Sequence, residues 1–135
     1  MSQTETTIDV REVLEIKELV MAKLLTDDYC LKIISGTANK CMSVKEMAFT
    51  YFIPFASCYK KVAQLEAIGL LREDGKVLKG TGKKYSIYRS CLKNLEVNYK
   101  NNRIVLEIEL EGQGPRNISL DLAEGLLLTT TIPLT

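Results

Sequence analysis

The stretch over residues 43–71, SVKEMAFTYFIPFASCYKKVAQLEAIGLL, constrains what this 135-residue chain can fold into more than any other part. Ser43 and Glu46 make a capping box, in which a serine side chain takes the amide three residues on and the glutamate reaches back to the serine amide. The box stands directly before Val44, Met47 and Ala48, so a helix is expected from Ser43 to about Tyr51. Ile53-Pro54 then makes a turn. Proline disfavours helical geometry in the residue before it and itself suits the first turn of a new helix. Phe55, Cys58, Val62, Leu65 and Ile68 recur at the spacing of one buried helical face, and Gly69 supplies a left-handed stop. Two short helices joined by a tight turn are the result.

The chain beyond Gly69 reads as β structure. Residues 70–73 are an expected strand, and Asp74-Gly75 is a tight-turn signal. Val77-Leu78 and residues 85–88 are expected strands around a basic, glycine-rich tip, Lys79-Gly80-Thr81-Gly82-Lys83-Lys84. Tyr85 and Ile87 alternate with Ser86 and Tyr88, as a half-buried strand requires. Residues 95–99 and 104–110 alternate on either side of Asn101-Asn102, which predicts a second hairpin. Gly112 to Pro115 breaks the order. Beyond it, residues 126–132 have β propensity, while residues 119–127 also fit a short helix.

Upstream, residues 9–25 carry a helical pattern, with Asp9 as N-cap and Glu12 completing a capping box. On a helical wheel Val10, Val13, Leu14, Ile16, Val20, Met21, Leu24 and Leu25 cover about half the circumference. Arg11, Glu15, Glu18 and Ala22 line the opposite side, and Lys17 intrudes on the apolar one. An apolar face this wide can serve its own domain and a second subunit. Thr26 or Asp27 can cap a second helix through Tyr29, Cys30, Ile33 and Ile34, ending near Gly36. Residues 37–42 are loop, and residues 1–7 are polar and frayed.

The net charge of +1 hides an asymmetry: residues 1–39 carry net −3, residues 40–100 net +7, and residues 101–135 net −3. A basic module between acidic flanks favours polyanions, because counterion release from nucleic acid drives binding. The alternative is a merely solvated lysine face. No apolar run approaches the roughly 20 residues that span a bilayer. The opening MSQTETTIDV lacks the basic flank and apolar stretch of a signal peptide. A cytoplasmic location and no membrane partner are therefore expected. Cys30, Cys41, Cys58 and Cys91 form no C-x-x-C pair, and there is no histidine. Neither a metal site, a disulfide framework nor a cofactor is expected. Without a phosphate-cradling glycine motif, or a nucleophile beside a recognisable base, the chain is not expected to be an enzyme.

The segment over residues 44–71 resembles the winged helix-turn-helix transcription regulators of bacteria and archaea, of the broad ArsR-like kind. The matching residues are Ala48 in the first helix, the Ile53-Pro54 turn, then Ser57, Tyr59 and Lys60, followed by Leu65-Glu66 and Gly69-Leu70. Phe52 stands at a turn position where such families often have glycine, its ring either packing as core or reshaping the turn. The resemblance continues through the basic hairpin to about Arg89. The thiol and histidine motifs that ArsR-type metal sensing needs are missing. What the resemblance implies is an α+β winged helix-turn-helix, a three-helix core plus a β-hairpin wing; the patterns of residues 9–25 and 95–110 add an extra N-terminal helix and a C-terminal β-hairpin. Residues 1–25 would be an arm for dimerisation and residues 26–92 the DNA-binding domain. Residues 93–111 would be a hairpin extension, and residues 112–135 a tail of unassigned structure.

The same residues make sense physically. A helix in the major groove needs small or hydrogen-bonding side chains at its N-terminal end, where it meets base edges. Ala56, Ser57, Tyr59 and Lys60 fit, and Lys60, Lys61 and Gln64 extend the exposed side. Ser43 joins the expected contacts at the start of the preceding helix. A wing needs backbone freedom and positive charge to follow a phosphate strand, which Gly80 and Gly82 with Lys79, Thr81, Lys83 and Lys84 supply. The expected function is a sequence-specific, double-stranded DNA-binding transcription regulator, acting as a homodimer. The alternative is a winged-helix protein–protein interaction module or architectural subunit that reads no bases.

Overall fold

Side-chain caps set where the helices begin. In the computed structural model, which describes residues 10–121 and 127–131 and the side chains of residues 17–119, α1 spans Val10–Leu25, α2 Asp28–Gly36, α3 Val44–Tyr51 and α4 Phe55–Ile68. Of the two caps open for α2, Asp27 is used: its carboxylate accepts from the Cys30 amide at 3.0 Å. At α3 the Ser43 hydroxyl accepts from the Glu46 amide at 3.1 Å, and the Glu46 carboxylate accepts from the Ser43 amide at 3.3 Å. Such a cap contributes about 1 kcal/mol. The expected cap at Asp9 and residues 1–7 lie outside the described residues.

The helix ends divide in two. Gly69 does stop α4 in the left-handed region, at φ 87°, with its amide donating back to Leu65 and Glu66. α2 ends at Gly36, where the sequence predicts, but without a left-handed backbone at that glycine. The cap of α2 is Thr37, whose buried hydroxyl donates to the Ile33 carbonyl at 2.8 Å. Gly36 is small because the Tyr51 ring occupies the place of a side chain there.

Among the described residues six strands come next: β1 (Leu71–Leu78), β2 (Lys84–Ser90), β3 (Leu92–Lys100), β4 (Arg103–Leu110), β5 (Arg116–Asp121) and β6 (Leu127–Thr131). β1 and β2 form an antiparallel hairpin, and β3-β4-β5-β6 an antiparallel four-stranded meander. Asp74-Gly75 is not the tight turn that its sequence suggests. It lies inside β1, where the register slips between Glu73 and Lys76 and Gly75 takes φ 112°, a bulge. β2 pairs with β1 on both sides of that bulge, so the reversal falls at the basic tip. There Gly82, at φ 83°, donates its amide to the Lys79 carbonyl at 2.8 Å. Asn101 and Asn102 both have positive φ and close the β3–β4 hairpin as a two-residue turn.

The region left unassigned completes the second sheet. Residues 119–121 and 127 belong to β5 and β6 rather than to a short helix; residues 122–126 and 132–135 lie outside the described residues. The predicted hairpin of residues 93–111 is thus one half of a larger sheet. Ile118 sits opposite Leu106, and both side chains are buried. β6 falls within residues 126–132, whose β propensity is one of the two readings of the tail.

One core runs through the whole arrangement. It joins Met21, Leu24 and Leu25 of α1 and Cys30, Ile33 and Ile34 of α2 to Met47, Ile53, Cys58, Val62 and Leu65 of the α3–α4 pair. Leu106, Ile108, Leu110 and Ile118 of the sheet close it. Backbone bonds also tie the hairpin to the helices: Met42 and Tyr88 exchange amide–carbonyl bonds at 3.1 and 2.8 Å, and the Cys91 amide donates to the Leu70 carbonyl at 3.0 Å.

The buried face of α1 is rotated from the one its wheel suggests. Glu18 and Ala22, placed on the polar side, are 6% and 1% exposed, whereas Val20 is 41% exposed. The reason is tertiary: β5 brings Arg116 to Glu18, with Nη1 to Oε1 at 2.9 Å, so a carboxylate can enter the interior. α1 packs on α2, α4 and β6, which buries Met21, Leu24 and Leu25 of its apolar face inside one chain. The side chains of residues 10–16, including Val13, lie outside the described ones.

Candidate nucleic-acid interface

The two central helices are locked together from inside. Ile53 donates its amide to the Ala48 carbonyl at 3.0 Å, and the Cys58 thiol donates to the Val44 carbonyl at 3.6 Å. Burial of Cys58, Val62 and Leu65 fixes which side of α4 faces outward. On that outer side stand Ala56, Tyr59, Lys60 and Gln64, all exposed, with Ser57 half-buried beside them. Pro54 caps α4 without a side-chain hydrogen bond, so the first amides of the helix keep their donors free for an anion.

Lys61 points elsewhere. It is half-buried, and its ammonium lies 3.4 Å from Asp27 Oδ1. The cause is the α2 cap: the Asp27 carboxylate sits beside α4 and draws in the one lysine of that helix facing it. Burial pushes the Asp27 carboxyl up, but the Cys30 amide and Lys61 outweigh burial and hold it below the ordinary aspartate value. Ser43 is likewise committed, 9% exposed with its hydroxyl accepting from the Glu46 amide.

The basic tip of the β1–β2 hairpin is exposed throughout, from Lys79 through Thr81, Lys83 and Lys84. Lys79 holds its ammonium 5.3 Å from the centre of the Tyr85 ring. Lys60, Lys83 and Lys84 make no ion pair among the described residues. Between the hairpin and the first turns of α3 lies a groove of about 240 Å³ lined by Ser43, Lys45, Glu46, Phe49, Lys79 and Tyr85. Ser43 and Lys79 therefore meet across one groove, while Ala56, Tyr59, Lys60 and Gln64 share the outer face of α4. At the hairpin's root, burial raises the Tyr88 hydroxyl, and the field of Glu66 on α4 adds to the rise.

Sequence reasoning missed the aromatics at the α3–α4 corner. Phe55, assigned to the buried face, is 58% exposed, and its ring leans on Tyr59 at 6.5 Å. It sits at the first position of α4, ahead of the point where that helix meets the core. Phe52 is not core: it caps α3 in the left-handed region, φ 55° and ψ 43°, with 90% of its surface exposed. Phe49 is 84% exposed. The signal that could have found them is the spacing 49, 52, 55 across a turn with only one buried side.

All four thiols are held above the ordinary cysteine value. Burial and the Asp27 carboxylate push Cys30 up to about 12, and burial raises Cys58 and Cys91. Cys41 donates to Asp74 at 3.1 Å, which raises its thiol too. All four are free. Among the described residues no cluster of three or more His, Cys, Asp or Glu side chains could hold a metal ion, and no helix is long and apolar enough to cross a membrane. The chain matches no protein-family model, no curated protein and no solved structure.

Proposed function

We propose that the chain is a sequence-specific, double-stranded DNA-binding transcription regulator of winged helix-turn-helix form. α3 and α4 are the helix-turn-helix, α4 enters the major groove, and the β1–β2 hairpin is the wing on the phosphate backbone. The observation that carries this reading is a pair of adjoining elements, α4 and the hairpin, whose outward lysines Lys60, Lys83 and Lys84 have no acidic partner among the described residues. Lysines left unpaired in a module of net +7 are what a polyanion neutralises. The chain acts as a homodimer in this reading, with Val20 of α1 and the unpaired edge of β3, where Val97 and Tyr99 are exposed, as the surfaces open to a second copy.

Selection from a randomised duplex pool at two salt concentrations tests it. The expected result is an enriched inverted repeat with half-sites about 34–36 Å apart. Salt-sensitive binding without enrichment would replace base readout by a non-specific role. A protein-docking module is the second reading, favoured by the exposed phenylalanines at the α3–α4 corner, and absence of any duplex binding would select it.

A further inference from the structure

All three phenylalanines of this chain stand at one corner, and none enters the core. Phe49 and Phe52 lie 84% and 90% exposed at the end of α3, and Phe55 and Tyr59 lie 58% and 63% exposed at the start of α4. Apolar rings gathered on a surface mark an interaction site. Phe52 adds a second sign. It holds a left-handed backbone, φ 55°, that glycine adopts without strain and a bulky residue does not. A ring kept at such a position while almost wholly exposed serves neither the turn nor the core. Strain of this kind points to function when packing does not explain it.

We propose that this corner is a stacking platform for unpaired nucleobases, so that the preferred ligand is DNA with locally opened or single-stranded bases. The proposal rests on the reading of this face as a DNA-binding surface and names the form of DNA it takes. Base pairs within a duplex offer only their edges to a protein, and their flat faces become available when bases unstack. Exposed rings interleaved with lysines are the general means of holding such bases. Here Lys60 stands directly after Tyr59, and Lys45 and Lys79 flank the groove that Phe49 and Tyr85 line. That groove, at about 240 Å³, exceeds the roughly 150 Å³ that suffices for a benzene ring. Glu46, the acidic residue of the groove, is occupied by the Ser43 amide in the capping box. Lys45 and Lys79 at the groove and Lys60 beside Tyr59 in sequence argue against a protein partner, since the cores of protein interfaces are depleted of lysine.

Three labelled DNAs test this by fluorescence anisotropy: a fully paired duplex, the same duplex with a short central run of unpaired thymines, and the single strand alone. The wild-type chain is expected to prefer the opened duplex to the paired one by about tenfold or more. Phe52→Gly should abolish that preference, keep the paired-duplex affinity, and raise the melting temperature, because glycine relieves the left-handed backbone. Phe55→Ala should reduce the preference as well; if that variant fails to fold, Phe52→Gly carries the test alone. Equal wild-type affinity for opened and paired duplex would overturn the stacking platform and leave the duplex-reading proposal standing. So would a preference that survives Phe52→Gly. Binding to none of the three DNAs would overturn both and return the corner to a protein-docking role.

Discussion

Lys60 and Lys61 are neighbours in sequence, yet a helical step of about 100° gives them different surroundings. Lys60 is exposed on the outer face of α4, and Lys61 is held by Asp27 at 3.4 Å. Lys60→Ala is expected to weaken specific DNA binding by about 1–3 kcal/mol with unchanged melting. Lys61→Ala should leave DNA binding alone and lower stability by about 0.5–1 kcal/mol. The reverse pattern, in titrations and melts of the two variants, would exchange their roles. Asp27 adds a pH dependence. Its folded carboxyl is held below the ordinary value by the Cys30 amide and Lys61, acting against burial. A depressed carboxylate contributes stability that is present above its unfolded value near about 4 and lost as pH falls through the folded one. Asp27→Asn keeps an acceptor for the Cys30 amide but has no charge to titrate. The stability gap between wild type and Asp27→Asn, read from urea midpoints, should therefore be open at neutral pH and close on acidification below about pH 4.

At the scale of elements, the β1–β2 hairpin combines a firm root with a free tip. Its root is tied by the Met42–Tyr88 bonds and the Cys91–Leu70 bond, while residues 79–84 are exposed. A bulge at Glu73–Lys76 bends β1 on the way. If the tip tracks phosphates, Lys83→Ala with Lys84→Ala should weaken paired DNA of any sequence alike. The slope of log affinity against log salt should then fall by roughly 0.9 for each phosphate no longer neutralised. An unchanged slope would take the tip off the backbone. The α3 and α4 helices were legible in the sequence and the bulge was not. The capping box and Gly69 act within one turn of helix, whereas Asp74-Gly75 suits a turn or a bulge equally, and only the partner strand β2 selects between them.

For the molecule as a whole, an ion pair joins α1 to the four-stranded sheet beside the apolar core that the two share. Glu18 is 6% exposed, with Oε1 at 2.9 Å from Arg116 Nη1 and Oε2 lacking a hydrogen-bond partner among the described residues. Removing the arginine would strand a carboxylate in the interior, a change that costs about 3 kcal/mol or more. Arg116→Ala should lower the unfolding free energy by that order, and Glu18→Gln combined with it should recover part of the loss. Chemical denaturation of wild type and the two variants measures this; a wild-type midpoint in Arg116→Ala would show that the pair does not hold α1 to the sheet.

Where α3 begins and α4 ends, the Asn101-Asn102 turn, the inward residues Cys58, Val62 and Leu65, and the outward Lys60 and Gln64 all follow from the order of residues alone. Each of these rests on interactions within a few residues, through a cap, left-handed positions and helical periodicity. Tertiary structure decided the rest. It turned Glu18 inward because Arg116, 98 positions away in sequence, comes to meet it, and turned Lys61 toward Asp27 across 34. It made strands of residues 116–121 and 127–131 because β4 offered an edge to β5, and β5 in turn to β6. It left Phe49, Phe52 and Phe55 in solvent because the core beneath the α3–α4 corner is filled by Met47, Ile53 and Cys58. An apolar side chain carries its preference for burial in the sequence; whether a neighbour is present to bury it depends on how distant segments meet.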